Sequence, residues 1–271
     1  MIKNVPGISH PSSTNFFLLA GPCAAERREL MMQVAEHLVT VCDKLQIPYI
    51  FKASYKKANR TRLDSFTGVG DEKALQWLAD VRKEFGVPVV TDIHSEIEAE
   101  MAAQYVDVLQ IPAFLFRQTE LLVAAAKTGK YINIKKGQFA GPNAMQHAAQ
   151  KIKDSGNNNI LLTERGTFFG YSDLVVDFRS IPAMQEFGFP VIMDVTHSLQ
   201  QPNTSSGVTG GLPHLIGKMG NAAIAMGVDG IFMETHPEPS KALSDGANML
   251  PLHQVEEKLT QWTRIRQSII S

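Results

Sequence analysis

Cysteine is scarce in this 271-residue chain: Cys23 and Cys42 are the only two. They cannot build a disulfide framework, and they fit thiols in a reducing compartment. No apolar window approaches the length of a membrane span, and Met1 to Thr14 lacks a positive segment followed by an apolar one. A soluble, cytoplasmic protein without a signal peptide is therefore expected. An excess of charge of one sign is also missing. Lys+Arg total 26 against 27 Asp+Glu, a formal net charge of −1, which provides no electrostatic footprint for nucleic acid or an anionic membrane. Nor is there a Gly/Ser/Pro-rich or charge-block linker, so residues 1–271 are expected to form one domain.

What is present is a 44% hydrophobic chain of the size at which a (β/α)8 barrel buries a single core. Short runs rich in Val, Ile, Leu and Phe predict strands at Phe16–Ala20, Tyr49–Ala53, Val89–Ile93, Val108–Ile111, Tyr131–Lys135, Ile160–Thr163, Val191–Val195 and Gly230–Glu234. Amphipathic stretches between them predict helices at Ala25–Lys44, Glu72–Phe85, Glu96–Gln104, Thr119–Thr128, Pro142–Asp154, Asp177–Glu186, Leu212–Met226 and Val255–Ile269. Eight apolar strands alternating with helices imply the α/β class and a parallel sheet covered on both sides. A closed TIM barrel with a short N-terminal extension is the expected form. The residues before the first strand are placed at the opposite end of the barrel from the site, as a plug.

The ends of those strands carry the polar residues, and in a barrel all of them meet on one face. Cys23, His197, Glu234 and Asp245 lie after the first, seventh and eighth strands. A thiolate, an imidazole and carboxylates together suit zinc or a comparable divalent ion, although their spacing forms no short motif and a Cys after a GP turn is often mere packing. Cys42, among Leu38, Val41 and Leu45, reads as a buried small hydrophobe. A second set is cationic: Lys52, Lys57, Arg60, Arg62, Arg117, Lys135, Lys136 and Arg165 sit at or just past strand ends. So many at one rim of a nearly neutral protein imply anionic ligands, two phosphate groups rather than one. Lys52 and Lys135 keep a rival open, a lysine that forms a Schiff base with a carbonyl substrate. His94 reads as a satisfied histidine, and His236 as a neighbour supporting Glu234.

The segments AGPCAAE (20–26), FKASYKKANRTRLDSFTG (51–68), LQIPAFLFRQTELLVAAAKTGKYINIKKGQF (109–139), TERGTFFGYSDLVVDFR (163–179), DVTHSLQQP (194–202) and METHPEPSKALSDGANMLPL (233–252) are similar to the 3-deoxy-D-manno-octulosonate 8-phosphate synthase family. The likeness runs from about Phe16 to Leu252, and KANR at 57–60 is its most specific piece. The related heptulosonate synthases share the barrel but carry a KPRTS-like run there. The resemblance implies condensation of phosphoenolpyruvate with arabinose 5-phosphate, a step towards the lipopolysaccharide sugar Kdo. It also implies the metal-dependent branch, since Cys23 stands where the other branch has Asn. Cys23, His197, Glu234 and Asp245 then hold Zn, Fe, Mn or Co.

Carried over by position, Lys57, Lys135 and Arg165 match contacts to phosphoenolpyruvate, with Lys52 beside them. Asn59 and Arg60 match contacts to the aldose phosphate; Thr61, Asp92 and Gln110 match pocket residues. Lys57, Asn59, His197 and Asp245 are the expected catalytic group. Arg117 matches an arginine that reaches the sugar phosphate of a neighbouring subunit, which implies a homotetramer. The Asn203–Gly211 run corresponds to a loop over the sugar-phosphate end. Sialic acid synthases share only fold and anion binding, and a phosphosugar sensor would need an output module that the chain does not show.

Overall fold

The computed structural model describes residues 2–60, 62–201 and 209–270. Thr61 and positions 203–208 of the expected loop lie outside the described residues. Eight strands alternate with eight α-helices: β1 Phe17–Gly21, β2 Tyr49–Lys52, β3 Val89–Asp92, β4 Val108–Ile111, β5 Tyr131–Lys135, β6 Ile160–Glu164, β7 Val191–Asp194 and β8 Gly230–His236. The helices are α1 Arg28–Leu45, α2 Asp71–Phe85, α3 Glu96–Ala103, α4 Thr119–Lys127, α5 Ala144–Asp154, α6 Ser180–Gln185, α7 Ile216–Ala225 and α8 Val255–Ile270. Each strand pairs in parallel with the next, and β8 returns to β1, so the sheet closes into a (β/α)8 barrel. No helix among the described residues is long and apolar enough to cross a membrane.

The period-two alternation of each strand divides its apolar residues between two cores. Leu18, Ala20, Tyr49, Phe51, Val89, Leu109, Ile132, Leu162, Met193 and Ile231 face outwards and pack under the helices. Phe17, Leu19, Ile50, Val90, Val108, Leu161, Ile192 and Phe232 fill the barrel interior, where Ile2 and Val5 join them from the N-terminal segment. That segment is the plug expected from the sequence. Its apolar side chains cover the interior layer that would otherwise meet water.

Two residues further along each strand, the inward positions turn polar: Lys52, Asp92, Gln110, Asn133, Thr163, Asp194 and Glu234. On β1 the corresponding residue is Gly21, where a Cβ would lie 2.1 Å from the Lys52 carbonyl oxygen. Only glycine lets β1 and β2 approach so closely at the barrel mouth. The expected elements are all present, with ends shifted. Helix α1 starts at Arg28 rather than Ala25, because Ala24 and Ala25 still pair with Ser54. Helix α6 shrinks to six residues, and a single 3-10 turn at Pro213–Leu215 precedes α7. An antiparallel hairpin, Thr167–Phe169 with Asp173–Val175, stands over the mouth after β6 and was not expected.

The β1–β8 seam makes a packing test. Gly230 pairs with Phe17, and a Cβ there would lie 2.5 Å from the Phe17 ring. Gly230→Ala should destabilise the fold by about 1–3 kcal/mol, the usual cost of overpacking, and adding Phe17→Leu should recover part of it. Denaturant unfolding of the three proteins checks this; an unchanged midpoint for the single variant would refute the close-packed seam.

Candidate active site

The polar layer is one connected belt. Thr163 Oγ1 donates to Asn133 Oδ1 (2.7 Å), and Asn133 Nδ2 to Gln110 Oε1 (2.9 Å). Gln110 and Ser54 each donate to the Asp92 carboxylate. Lys52 Nζ donates to Ser54 Oγ (3.0 Å) and to Glu234 Oε1 (2.9 Å). Glu234 Oε2 lies 3.4 Å from His197 Nε2, and His197 Nδ1 lies 2.8 Å from Asp194 Oδ2. Lys135 Nζ closes the run, 2.5 Å from Asp194 Oδ2 and 3.7 Å above the Phe232 ring. Fully buried charges survive because each has an opposite charge or a ring face beside it.

Burial disfavours ionisation of Glu234 and Asp194, yet both stay far below the usual carboxylate range. His197, Lys52 and Lys57 hold down Glu234; His197 and Lys135 hold down Asp194. Burial would also discharge Lys52, but Glu234 and Asp92 keep it an ammonium. Lys135 differs: burial outweighs Asp194, and its pKa falls.

Above the belt opens a cavity of about 470 Å³, lined among others by Lys57, Asn59, Arg60, Gln138, Arg165 and Asp245. Arg60 is held by Nε donation to the Phe66 carbonyl (2.9 Å), which leaves its buried Nη2 without a hydrogen-bond partner among the described residues. Arg165 Nη2 donates to Gln200 Oε1 (2.7 Å) and the His197 carbonyl (3.1 Å), both neutral acceptors. Among the described residues, Lys57, Arg60 and Arg165 line the cavity without an ion pair, although the buried carboxylates beyond Lys57 and Arg165 still act on them through space. The expected cationic rim is therefore smaller than the sequence suggested. Arg62 is exposed and paired with Asp64 (2.6 Å). Lys136 is buried, donating to Ala140 O, Gly166 O and Thr167 Oγ1 beside Glu164. It ties two mouth loops together and does not face the ligand. Arg117 is exposed and lies outside the cavity lining of its own chain.

At one edge of the floor, ligand atoms of Cys23, Glu234 and Asp245 lie within 4.8 Å of one another. His197 is not in that trio but touches Glu234. Burial, and then Glu234, pushes the Cys23 thiol up, so without a cation it stays protonated and donates to Ser244 Oγ (3.0 Å). The backbone fixes the trio. Ser54 N–H and Lys52 Nζ donate to the Cys23 carbonyl (3.2 and 3.3 Å), and Glu26 Oε1 accepts from Leu243 N–H (2.7 Å), joining the β1 and β8 loops. Asp245 itself is left-handed (φ 51°), and at the next residue a Cβ would lie 2.2 Å from the Pro239 oxygen, so Gly246 is required. Such strain concentrates at functional sites.

His94 lines the cavity with its Nδ1 2.9 Å from Glu98 Oε2, so it is satisfied as expected, but by a carboxylate that the sequence reading did not identify. His236 is buried and accepts from Glu238 N–H through Nδ1 (2.9 Å). Ser54, Asn133, Thr163 and Asp194 were also missed. Asp194 alone had a local signal, a carboxylate three residues before His197.

A barrel whose mouth gathers unpaired cations beside a soft-and-hard donor set defines an enzyme of the anion-handling (β/α)8 class. The chain belongs to the DAHP synthetase I family, whose model matches residues 2–270. It is 49% identical over 268 residues to a Cyanothece sp. protein named 2-dehydro-3-deoxyphosphooctonate aldolase, covering 99% of this chain and 98% of that one. A protein of the same name from Koribacter versatilis is 54% identical over 256 residues, covering 93% and 92%. One from Desulfotalea psychrophila is 49% identical over 258 residues, covering 95% and 92%.

Glu98 gives a pH test. Burial opposes its charge, but His94 and Lys56 pull its pKa from the ordinary 4.5 to about 2. A depressed carboxylate contributes stability above its unfolded pKa and loses it as pH falls through the folded one. The stability gap between the native protein and Glu98→Gln should be present at pH 5 and close between pH 4.5 and about 2. A gap that does not change with pH would refute the assignment.

Proposed function

We propose that the protein joins phosphoenolpyruvate to D-arabinose 5-phosphate with water, giving 3-deoxy-D-manno-octulosonate 8-phosphate and phosphate, and that a divalent metal ion takes part. The observation that carries the reading is the cavity itself, with Lys57, Arg60 and Arg165 left unpaired above the Cys23–Glu234–Asp245 trio. The relatives' shared name supports the substrate pair. KANR at 57–60 supports the five-carbon aldose over erythrose 4-phosphate.

Two multiply charged anions must be held face to face, which the rim cations achieve by charge and position. Alignment of this kind can supply about 7–11 kcal/mol of a barrier. In the reaction, C3 of phosphoenolpyruvate bonds to the aldehyde carbon, water oxygen adds at C2, and phosphate leaves with cleavage of its C2–O bond. Lys57, Lys135 and Arg165 would hold the phosphoenolpyruvate, and Asn59 and Arg60 the sugar phosphate. Asp92 and Gln110, locked in the belt, would support the pocket wall. Water gives up a proton as it adds at C2, and the aldehyde oxygen gains one. Of the expected catalytic group, the Lys57 ammonium would be the donor, Asn59 would offer a hydrogen bond, and His197 and Asp245 would serve as ligands of the ion.

The donor set fits a transition-metal ion. Glu234 Oε2 is buried without a hydrogen bond among the described residues, and His197 has Nδ1 fixed by Asp194, leaving Nε2 towards Glu234. Cys23, His197, Glu234 and Asp245 would hold Zn, Fe, Mn or Co, which when bound would polarise the aldehyde or acidify water. The Schiff-base rival is weakened because Lys52 and Lys135 are each paired with a carboxylate. We also place the chain in a homotetramer, in which exposed Arg117 would complete a neighbour's sugar-phosphate site.

Phosphate release from phosphoenolpyruvate should require arabinose 5-phosphate, stop on strong chelation and return with a divalent metal. Cys23→Ser should lose metal and activity together; full activity after chelation would overturn the metal. Turnover with erythrose 4-phosphate alone would overturn the substrate. Arg117→Ala should raise KM for the aldose phosphate roughly tenfold, the loss of about 1.4 kcal/mol of binding, with kcat little changed. An unaltered KM would refute the shared site.

A further inference from the structure

We infer that Ser244, which is not itself a ligand, is a positioning residue that sets how strongly the Cys23 sulfur binds a divalent ion; the inference rests on the metal reading above. Ser244 is buried, 4% exposed. Its Oγ lies 3.0 Å from Cys23 Sγ and 3.4 Å from Asp245 Oδ2, so one hydroxyl spans two members of the trio from the side. Its place is fixed on both flanks: Leu243 N–H is held by Glu26, and Asp245 is held in the left-handed region.

A hydroxyl has one donor proton and two acceptor lone pairs, and it can rotate. With the thiol protonated, Ser244 accepts from Cys23 and donates towards Asp245. When the thiol gives up its proton to bind a cation, the sulfur becomes an acceptor. The same hydroxyl then turns and donates to it. Asp245, engaged by the cation, no longer needs that proton. The residue therefore serves both states without leaving a buried polar atom orphaned. An alanine would leave the protonated thiol only Asp245 Oδ2, 3.3 Å away, and would give the cation-bound sulfur no donor from this position. A hydrogen bond donated to a ligand sulfur stabilises its negative charge and fixes its direction. Outer partners of this kind are commonly worth 10–100-fold in metal affinity.

The test uses the full-length protein, stripped of metal and titrated with Co(II) against a chromophoric chelator, while the sulfur-to-cobalt charge-transfer band is recorded. Ser244→Ala should weaken Co(II) binding by about 10–100-fold and move the band to lower energy, because a sulfur without the hydrogen bond is easier to oxidise. Ser244→Thr, which keeps the hydroxyl, should restore both readouts. Native affinity and an unshifted band in the alanine variant would overturn the role of Ser244. Its failure is distinct from failure of the metal reading, in which the native protein itself would show no charge-transfer band and Cys23→Ser would bind Co(II) as well as native.

Discussion

Buried charges that must stay charged dictate the arrangement of the barrel mouth. Lys52, Asp194 and Glu234 are at most 1% exposed and stand directly above Phe232 and the apolar interior layer. Removing such groups from water costs several kcal/mol each, and a barrel built for stability alone would do as well with leucines there. They persist because each is answered by a fixed partner. One chain of hydrogen bonds and ion pairs runs from Thr163 on β6 through Lys52 and Glu234 to Lys135 on β5. Losing any one member would strand the next, which ties the geometry of seven of the eight strands to the chemistry above them.

The belt also decides which cations are available. Lys52 and Lys135 are neutralised by Glu234 and Asp194, Lys136 by Glu164, Lys56 by Glu98, and Arg62 by Asp64. Lys57, Arg60 and Arg165 remain unpaired at the cavity among the described residues. Counting positive residues at strand ends therefore overstates the anion-binding charge. Subtracting the pairs leaves a group small enough to be specific about orientation. Arg165, held by two neutral oxygens, has its direction set without losing its charge.

Much of this was legible in the chain. The strands end in polar residues because the inward column changes from apolar to polar two residues further on, and that change is visible as KAS after YIF or ETH after IFM. The donor positions were legible as residues, but their convergence was not. Cys23 and Asp245 are 222 residues apart, and no local pattern says that their side chains come within 3.3 Å. Closure of β8 against β1 does that, and the family resemblance anticipated it. The hairpin after β6 escaped because its three-residue strands are largely exposed, so neither has an apolar face to mark its period. Arg62 and Lys136 misled for a related reason: a charge beside a strand end looks the same in sequence whether it faces the ligand, the solvent or a loop carbonyl.

The placement of the donors on different kinds of backbone has a consequence for how the site can respond. Glu234 lies inside β8 and His197 in the turn just after β7, with its backbone N–H held by Asp194 (2.8 Å). Both are held by the barrel, Glu234 through the β8 ladder and His197 through Asp194 at the end of β7. Cys23 and Asp245 lie on loops, joined to each other by Ser244 and by the Glu26–Leu243 bond. The Cys23 and Asp245 loops are tied to each other, so they would shift as one unit relative to Glu234 and His197. That division puts the soft ligand and one carboxylate on the adjustable side. Metal preference in such a site would be set less by the barrel than by the few bonds that hold those two loops together.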